Sequence, residues 1–237
     1  METNINTDKK FFILYKPKDI VSGDFYYAIS HKHPGSKVEK FYLCTADCTG
    51  HGVPGAFMSM LNISYLNESI ILKNISNPNE ILDHIRNEII NSLNPEGSEE
   101  ESKDGMDCIL CSFDFTNNKL EYAAANNSFY IARNKELISC SADKMPVGKS
   151  PKEHEPFTLH SVQLQKGDIV YTLTDGLPDQ FGGPKGKKYK YKQLEDLLLS
   201  NAHLPMDQQK ATLEKSFTEW KSGYEQVDDV LLIGIRI

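Results

Sequence analysis

Four apolar, strand-like runs in this chain begin or end on an aspartate, and that pattern limits how the chain can fold. The run Phe41-Tyr42-Leu43-Cys44 leads to Asp47, turns through Thr49-Gly50-His51-Gly52 and opens into a helical pattern. Asp24 opens the run at 25–30, Asp175-Gly176 closes the run at 169–174, and Asp228-Asp229 open the run at 230–235. One such aspartate is an ordinary turn residue. Four gathered at one edge of a core would repel one another and resist ionising unless a counter-charge sat among them. One or two hard divalent cations are the natural counter-charge, because carboxylates, carbonyls and water suit Mg²⁺ or Mn²⁺. Two such ions about 3.5–4 Å apart activate a water and orient in-line attack on phosphorus.

The intervening pattern says how the acids would meet. Residues 11–15 and 25–30 read as strands, and the turn His31-Lys32-His33-Pro34-Gly35 leads to a third at 38–46. Pairing the last two as a hairpin sets Asp24, at the start of one, beside Asp47, at the end of the other. From Pro54 to Lys73 the pattern is helical, with Phe57, Met60, Leu61, Ser64, Tyr65 and Ile71 near one face, expected in the core. Asn77-Pro78 opens a second helix with a capping residue, proline at its first position and Glu80 in the first turn. Its stripe Ile81, Leu82, Ile85, Ile89, Leu93 is a core face. After an acidic loop at 94–105, short runs at 106–115, 120–125, 128–133 and 136–140 alternate with Asn-rich turns, as in an antiparallel meander. Strands at 158–164 and 168–174 flank Gln165-Lys166-Gly167, helices are expected at 191–200 and 206–221, and a strand closes the chain. No repeat or linker divides it, so one domain is expected over 1–237, with its core from about residue 12.

Composition removes several classes of function. Hydrophobic residues at 39% and charged residues at 25% suit a globular protein. A net charge of −7 argues against a nucleic-acid binder and favours a cytoplasmic protein. The N-terminus has no apolar signal core, and no run approaches the roughly 18–20 apolar residues of a membrane span. Five cysteines, an odd number, read as reduced thiols. Cys108 and Cys111 would point to opposite faces of a strand, which disfavours zinc. Neither a G-x-x-x-x-G-K-[ST] loop nor a G-x-S-x-G elbow is present. Cys48 lies near His51, but Asp47 beside it disfavours a thiolate nucleophile.

Four segments in order, Ser22-Gly23-Asp24-Phe25, Ala46-Asp47-Cys48-Thr49-Gly50-His51-Gly52, Thr174-Asp175-Gly176 and Asp228-Asp229, resemble the SpoIIE-like branch of the metal-dependent protein phosphatases, relatives of protein phosphatase 2C. The resemblance covers residue 12 to the C-terminus. It implies an α+β fold, a four-layer α-β-β-α sandwich of two antiparallel sheets flanked by helices, with a dinuclear metal site at one end. It also implies hydrolysis of phosphoserine or phosphothreonine in a protein, without a phospho-enzyme. By position, Asp47 would bridge both ions and the Cys48 carbonyl would ligate one. Asp24, Asp175 and Asp228 would hold further ligand positions, with Asp229 beside the last. Asp104 lines up with the acid that holds a weaker third metal in some bacterial relatives. His51 stands where a histidine is proposed as general acid, a role suited to an imidazole titrating near neutrality; the alternative is a histidine hydrogen-bonded in a tight turn.

By analogy the substrate would be a phosphorylated regulator of the anti-sigma-factor-antagonist type. Three departures from the family pattern stand out. No arginine precedes Asp24, where only Lys16 and Lys18 offer charge without a bidentate fork. Ala125-Asn126-Asn127 replaces Gly-His-Asn, and little precedes residue 12, as expected of a catalytic part cut from a longer protein with an upstream sensor or regulatory domain. The basic loop 185–192 is either a solvated face or a contact for an acidic phosphoprotein. A non-catalytic, partner-binding or metal-sensing relative is the alternative to an enzyme; the intact acids speak against it.

Overall fold

The computed structural model describes residues 10–50, 52–94 and 102–237, so His51 and the acidic run Glu99-Glu100-Glu101 lie outside the described residues. In chain order the elements are β1 (Phe11–Lys16), β2 (Asp24–His31), β3 (Lys40–Cys48), α1 (Gly52–Asn67), α2 (Pro78–Leu93), β4 (Gly105–Asp114), β5 (Lys119–Ala125), β6 (Phe129–Arg133), β7 (Glu136–Cys140), β8 (Val147–Gly148) and β9 (His160–Gln163). They continue with β10 (Ile169–Leu173), α3 (Gly176–Asp179), β11 (Phe181–Gly182), β12 (Lys187–Lys188), α4 (Tyr191–Asn201), α5 (Met206–Lys221) and β13 (Val230–Arg236). One antiparallel sheet runs β2-β3-β4-β5-β9, with β8 added to β4; the other runs β1-β13-β10-β6-β7. The pleat explains the layers. Alternate residues of β3 point apart: Tyr42, Cys44, Ala46 and Cys48 pack under α1 and α2, whereas Leu43 joins Ile109, Phe129, Val170 and Leu231 between the sheets. On the outer face of the second sheet, Leu194, Leu198, Leu213 and Phe217 of α4 and α5 cover Phe12, Tyr171 and Leu232. The result is the four-layer α-β-β-α sandwich.

One expectation about the strands needs correcting. The runs after residue 105 do not form one meander. The chain leaves the first sheet after β5 and enters the second at β6, returns to the first between β7 and β8, and crosses again between β9 and β10. The inward residues of β5 (Leu120, Tyr122, Ala124) and β6 (Phe129, Ile131) enter the same central core, so their alternation looks alike whether or not the strands pair. The crossing is marked by Asn126, at φ 56°, whose N–H donates to Asp143 O at 2.8 Å.

Helix α1 also differs from its pattern. Phe57 and Met60 are each 68% exposed, and the inward residues are Gly55, Met58, Ser59, Asn62 and Leu66. The inner face of the first turns is built from small residues because the helix lies almost on the backbone of the strand ends. A Cβ on Gly55 would run into the Gly50 carbonyl and within 2.9 Å of Gly23 Cα. Large side chains therefore turn outward. Helix α2 behaves as its stripe predicts, with Ile81, Leu82, Ile85 and Ile89 buried. Its Asn77 side chain donates to Glu80 Oε1 at 3.1 Å and makes no capping bond to the helix backbone.

Candidate active site

Strand register assembles the acids. Asp24 of β2 lies directly opposite Asp47 of β3, and Asp47 lies directly opposite Asp107 of β4. Residues opposed in an antiparallel sheet share a face with Cα atoms about 4.5–5.5 Å apart, so the three carboxylates form a row on the face turned toward the second sheet. Asp175, following β10, and Asp228, preceding β13, approach from that second sheet. Thr174 ties the two together: its Oγ1 donates to Asp24 Oδ2 at 2.6 Å and accepts from Leu231 N at 3.1 Å. Deeper in, Thr45 Oγ1 and Thr172 Oγ1 share a hydrogen bond of 2.7 Å. The glycine of Thr174-Asp175-Gly176 is obligatory, because a Cβ there would strike the Asp229 carbonyl.

Asp229 is bonded to backbone. Its Oδ1 accepts from Lys18 N at 2.7 Å and its Oδ2 from Gly23 N at 2.8 Å, with Asp24 N at 3.5 Å. It thereby fixes the loop that delivers Asp24. Ser59 of α1 grips the same loop from behind, donating to Gly23 O at 2.6 Å. Cys48 points away from the row, with Asn62 Nδ2 donating to its sulfur at 3.4 Å. Burial, helped by Asp47, pushes that thiol up to about 12. A thiolate nucleophile is thus strongly disfavoured, and the Cys48 side chain turns to Ser59 and Asn62, leaving its backbone toward the site.

The electrostatics are those of packed acids. Burial, then the charges of Asp229, Asp228 and Asp175, raise Asp24 to about 8 against the pull of the Thr174 bond. Burial and the charges of Asp24, Asp175, Asp228 and Asp107 raise Asp47 to about 9. Asp175 rises to about 6 for the same reasons, with Asp179 its strongest like-charged neighbour and Lys188 opposing. Asp107 is raised by burial, and the Asn126 bond and the Lys144 charge work against it. A cavity of about 340 Å³ opens over Asp47, Cys48, Thr49, Gly50, Asp107 and Asp228. At the opposite end of the sandwich a larger cavity of about 630 Å³, walled by Phe11, Ile13, Phe41 and Ile235, contains no carboxylate side chain.

The donor set fits hard cations. Every side chain in the row is an oxygen donor, and the buried acids raise one another's proton affinity where a nearby cation would lower it. Among the described residues no three His, Cys, Asp or Glu side chains close around a single point. Mg²⁺ does not require that, since it keeps several waters and takes one or two carboxylates.

Asp24, Asp47, Asp175 and Asp228 thus come together as their sequence pattern suggested. Asp104 stands at the head of β4, where its Oδ2 accepts from Ser102 Oγ at 2.8 Å; like Asp24 and Asp175, it does not line the cavity. The sequence reading left out Asp107. Its signal was available: 107, 109, 111 and 113 are the inward phase of a buried strand, and an acid among Ile109, Cys111 and Phe113 is out of place. It also left Asn126 without a role. The Asn126 Nδ2 donates to Asp107 Oδ1 at 2.8 Å, so the asparagine where the family pattern has histidine holds one end of the acid row.

A family model described as Stage II sporulation protein E (SpoIIE) matches residues 37–237. No curated protein matches the chain. Among solved structures, the SiaA-PP2C domain of Pseudomonas aeruginosa is 27% identical with a TM-score of 0.82, covering 96% of this chain and 86% of that one. The PP2C phosphatase domain and regulatory-domain fragment of SpoIIE from Bacillus subtilis is 18% identical with a TM-score of 0.71, covering 96% of this chain and 63% of that one. RsbX in complex with magnesium is 14% identical with a TM-score of 0.61, covering 96% and 94%. The last two share the fold. By the family match, the chain belongs to the SpoIIE family of PP2C-type phosphatase domains.

Proposed function

We propose that the chain, as one catalytic domain, is a Mg²⁺- or Mn²⁺-dependent protein serine/threonine phosphatase acting in the cytoplasm on a phosphorylated regulatory protein. The observation that carries this reading is the row Asp24-Asp47-Asp107 opposed by Asp175 and Asp228, acids whose mutual repulsion calls for bound cations. When bound, a pair of such ions supplies Lewis-acid pull on a phosphoryl group and on the water that attacks it. Asp47, central in the row, would be shared by both ions. Asp24, oriented by Thr174, and Asp175 and Asp228, held on the facing sheet, would take the outer positions. The Cys48 carbonyl would be the backbone ligand, and Asp104 would hold a weaker third ion. His51, which follows Gly50 in the sequence, would protonate the departing alkoxide of the serine. RsbX, which shares the fold, was crystallised with magnesium, and the B. subtilis SpoIIE structure includes a fragment of a regulatory domain. Both facts favour metal dependence and control by an upstream domain here. An anti-sigma-factor antagonist is the substrate class the family analogy favours.

The experiment is phosphate release from a phosphoserine peptide with Mn²⁺ and with EDTA, by wild type and Asp175→Asn. Release that needs Mn²⁺ and is lost in Asp175→Asn supports the reading. A folded wild type inert with Mn²⁺ defeats it in favour of a non-catalytic module, and an equally active variant defeats the site assignment. For His51, His51→Ala is expected to slow the serine phosphate far more than p-nitrophenyl phosphate, whose leaving group needs no proton; equal losses would remove the general-acid role.

A further inference from the structure

Between β10 and α5 the chain makes an excursion, α3, the hairpin β11–β12 and α4, that supplies none of the site's acids except Asp175 at its root. Within it, Lys185, Lys187, Lys188, Lys190 and Lys192 place five lysines in eight residues of a chain whose net charge is −7. Such a stretch is ordinarily a solvated, mobile face. Here it is fastened down. Gly182 and Gly183 lie against Trp220: a Cβ on the first would strike the Trp220 carbonyl, and one on the second would come within 2.7 Å of its ring. Trp220 Nε1 donates to Gln180 O at 3.0 Å. Tyr189 is buried edge-on to Trp220 at 5.3 Å between ring centres, and its hydroxyl shares a 2.8 Å hydrogen bond with Ser216.

The fastening also aims the segment at the acid row. Lys188 Nζ pairs with Asp179 Oδ2 at 2.8 Å, and Lys190 N donates to Pro178 O at 2.7 Å, so the return strand runs beside the short helix that Asp175 begins. That brings Tyr191, 41% exposed at the head of α4, within reach of the charges of Asp175, Asp179, Asp47 and Asp107. Lys190 sits between at φ 73°, ψ 148°, a conformation L residues rarely hold and one that recurs at ligand-binding edges. Of the five lysines, Lys188 and Lys192 are paired with Asp179 and Asp196. Lys185, Lys187 and Lys190 are exposed and have no ion pair among the described residues.

The geometry points to this hairpin as the docking edge for the substrate protein, and to a substrate whose phosphorylated residue is flanked by acidic side chains. The inference rests on the phosphatase reading and deepens it. The acid row selects the phosphate ester, and Lys185, Lys187 and Lys190 hold the acidic chain on either side. A rigid basic edge loses little entropy on binding, and its charge complements the partner's.

The test compares kcat/KM for two phosphoserine peptides, one with acidic and one with neutral flanks, in wild type and in the double variant Lys185→Glu/Lys187→Glu. The ratio between peptides cancels any change in chemistry common to both. Wild type is expected to prefer the acidic peptide by about ten-fold, mainly through KM, with the preference shrinking as salt rises. The double variant is expected to lose that preference while melting at the wild-type temperature. No preference in wild type, or an unaltered preference in the folded variant, overturns the inference. If neither peptide is hydrolysed, the phosphatase reading fails on its own, and fluorescence anisotropy with the acidic phosphopeptide decides the docking edge. Tighter binding by wild type than by the variant upholds it, and equal affinities refute it.

Discussion

Stripping divalent cations from this protein should make its stability fall as pH rises, opposite to the usual behaviour of aspartates. Burial and mutual repulsion hold Asp24 at about 8 and Asp47 at about 9 in the folded chain, against about 4 when unfolded. Between those values the folded chain carries more protons than the unfolded one. Stability is therefore fully present below the unfolded value and is lost as pH climbs through the folded ones. Asp24 and Asp47 are direct cross-strand neighbours and titrate as a pair. One proton held by that pair gives a slope of about 1.4 kcal/mol per pH unit. From about pH 6.5 to about pH 8 the loss is about 2 kcal/mol, or about 4–8 °C in Tm for a chain of this size. Burial pushes His33 down, so it contributes the opposite slope, but only below the ordinary histidine value, outside this window. The assay is a series of thermal melts in EDTA across the window, repeated with saturating Mg²⁺, which should flatten the slope, and with Asp47→Asn, which should flatten it without metal. A Tm that holds steady or rises with pH in EDTA would refute the electrostatic argument.

Two further outcomes follow from individual side chains. Asp229→Ala leaves the amides of Lys18 and Gly23 without their acceptor, at about 1–3 kcal/mol each, partly offset by relief of the charge pressing on Asp24. Urea unfolding should show a loss of about 2–4 kcal/mol, and a loss below about 0.5 kcal/mol would deny Asp229 its role in fixing the loop. Cys48→Ala should preserve phosphate release while costing about 1 kcal/mol for the small cavity left beside Ser59 and Asn62. Loss of turnover in a folded Cys48→Ala protein would bring thiol chemistry back into consideration.

Much of this was legible in the residues because each acid sits at a strand end with recognisable punctuation. The hairpin reading put Asp24 beside Asp47, and the register sets them directly opposite. What escaped depends on which sheet a strand joins. Asn126 looks like any hairpin asparagine, yet it marks the crossing between sheets and holds Asp107. The outward turn of Phe57 and Met60 escaped for a related reason: periodicity identifies an apolar face but not how close the neighbouring backbone lies. The close approach of Gly55 to Gly23 and Gly50 decided the face. The lysines at 185–192 could be counted in the sequence, but Trp220 and Tyr189, which hold them in place, act over a distance that spacing does not reveal.

If Asp24, Asp47, Asp175 and Asp228 form one site for two divalent cations, the metal-free protein must take up two ions. Isothermal titration of the metal-free protein with Mn²⁺ at about pH 8 tests it without relying on turnover. Two ions should bind with release of protons in wild type, and both strong sites should be lost in Asp47→Asn, because a ligand common to both ions would be removed. No saturable Mn²⁺ binding by folded wild type, or unchanged stoichiometry and affinity in Asp47→Asn, would contradict it.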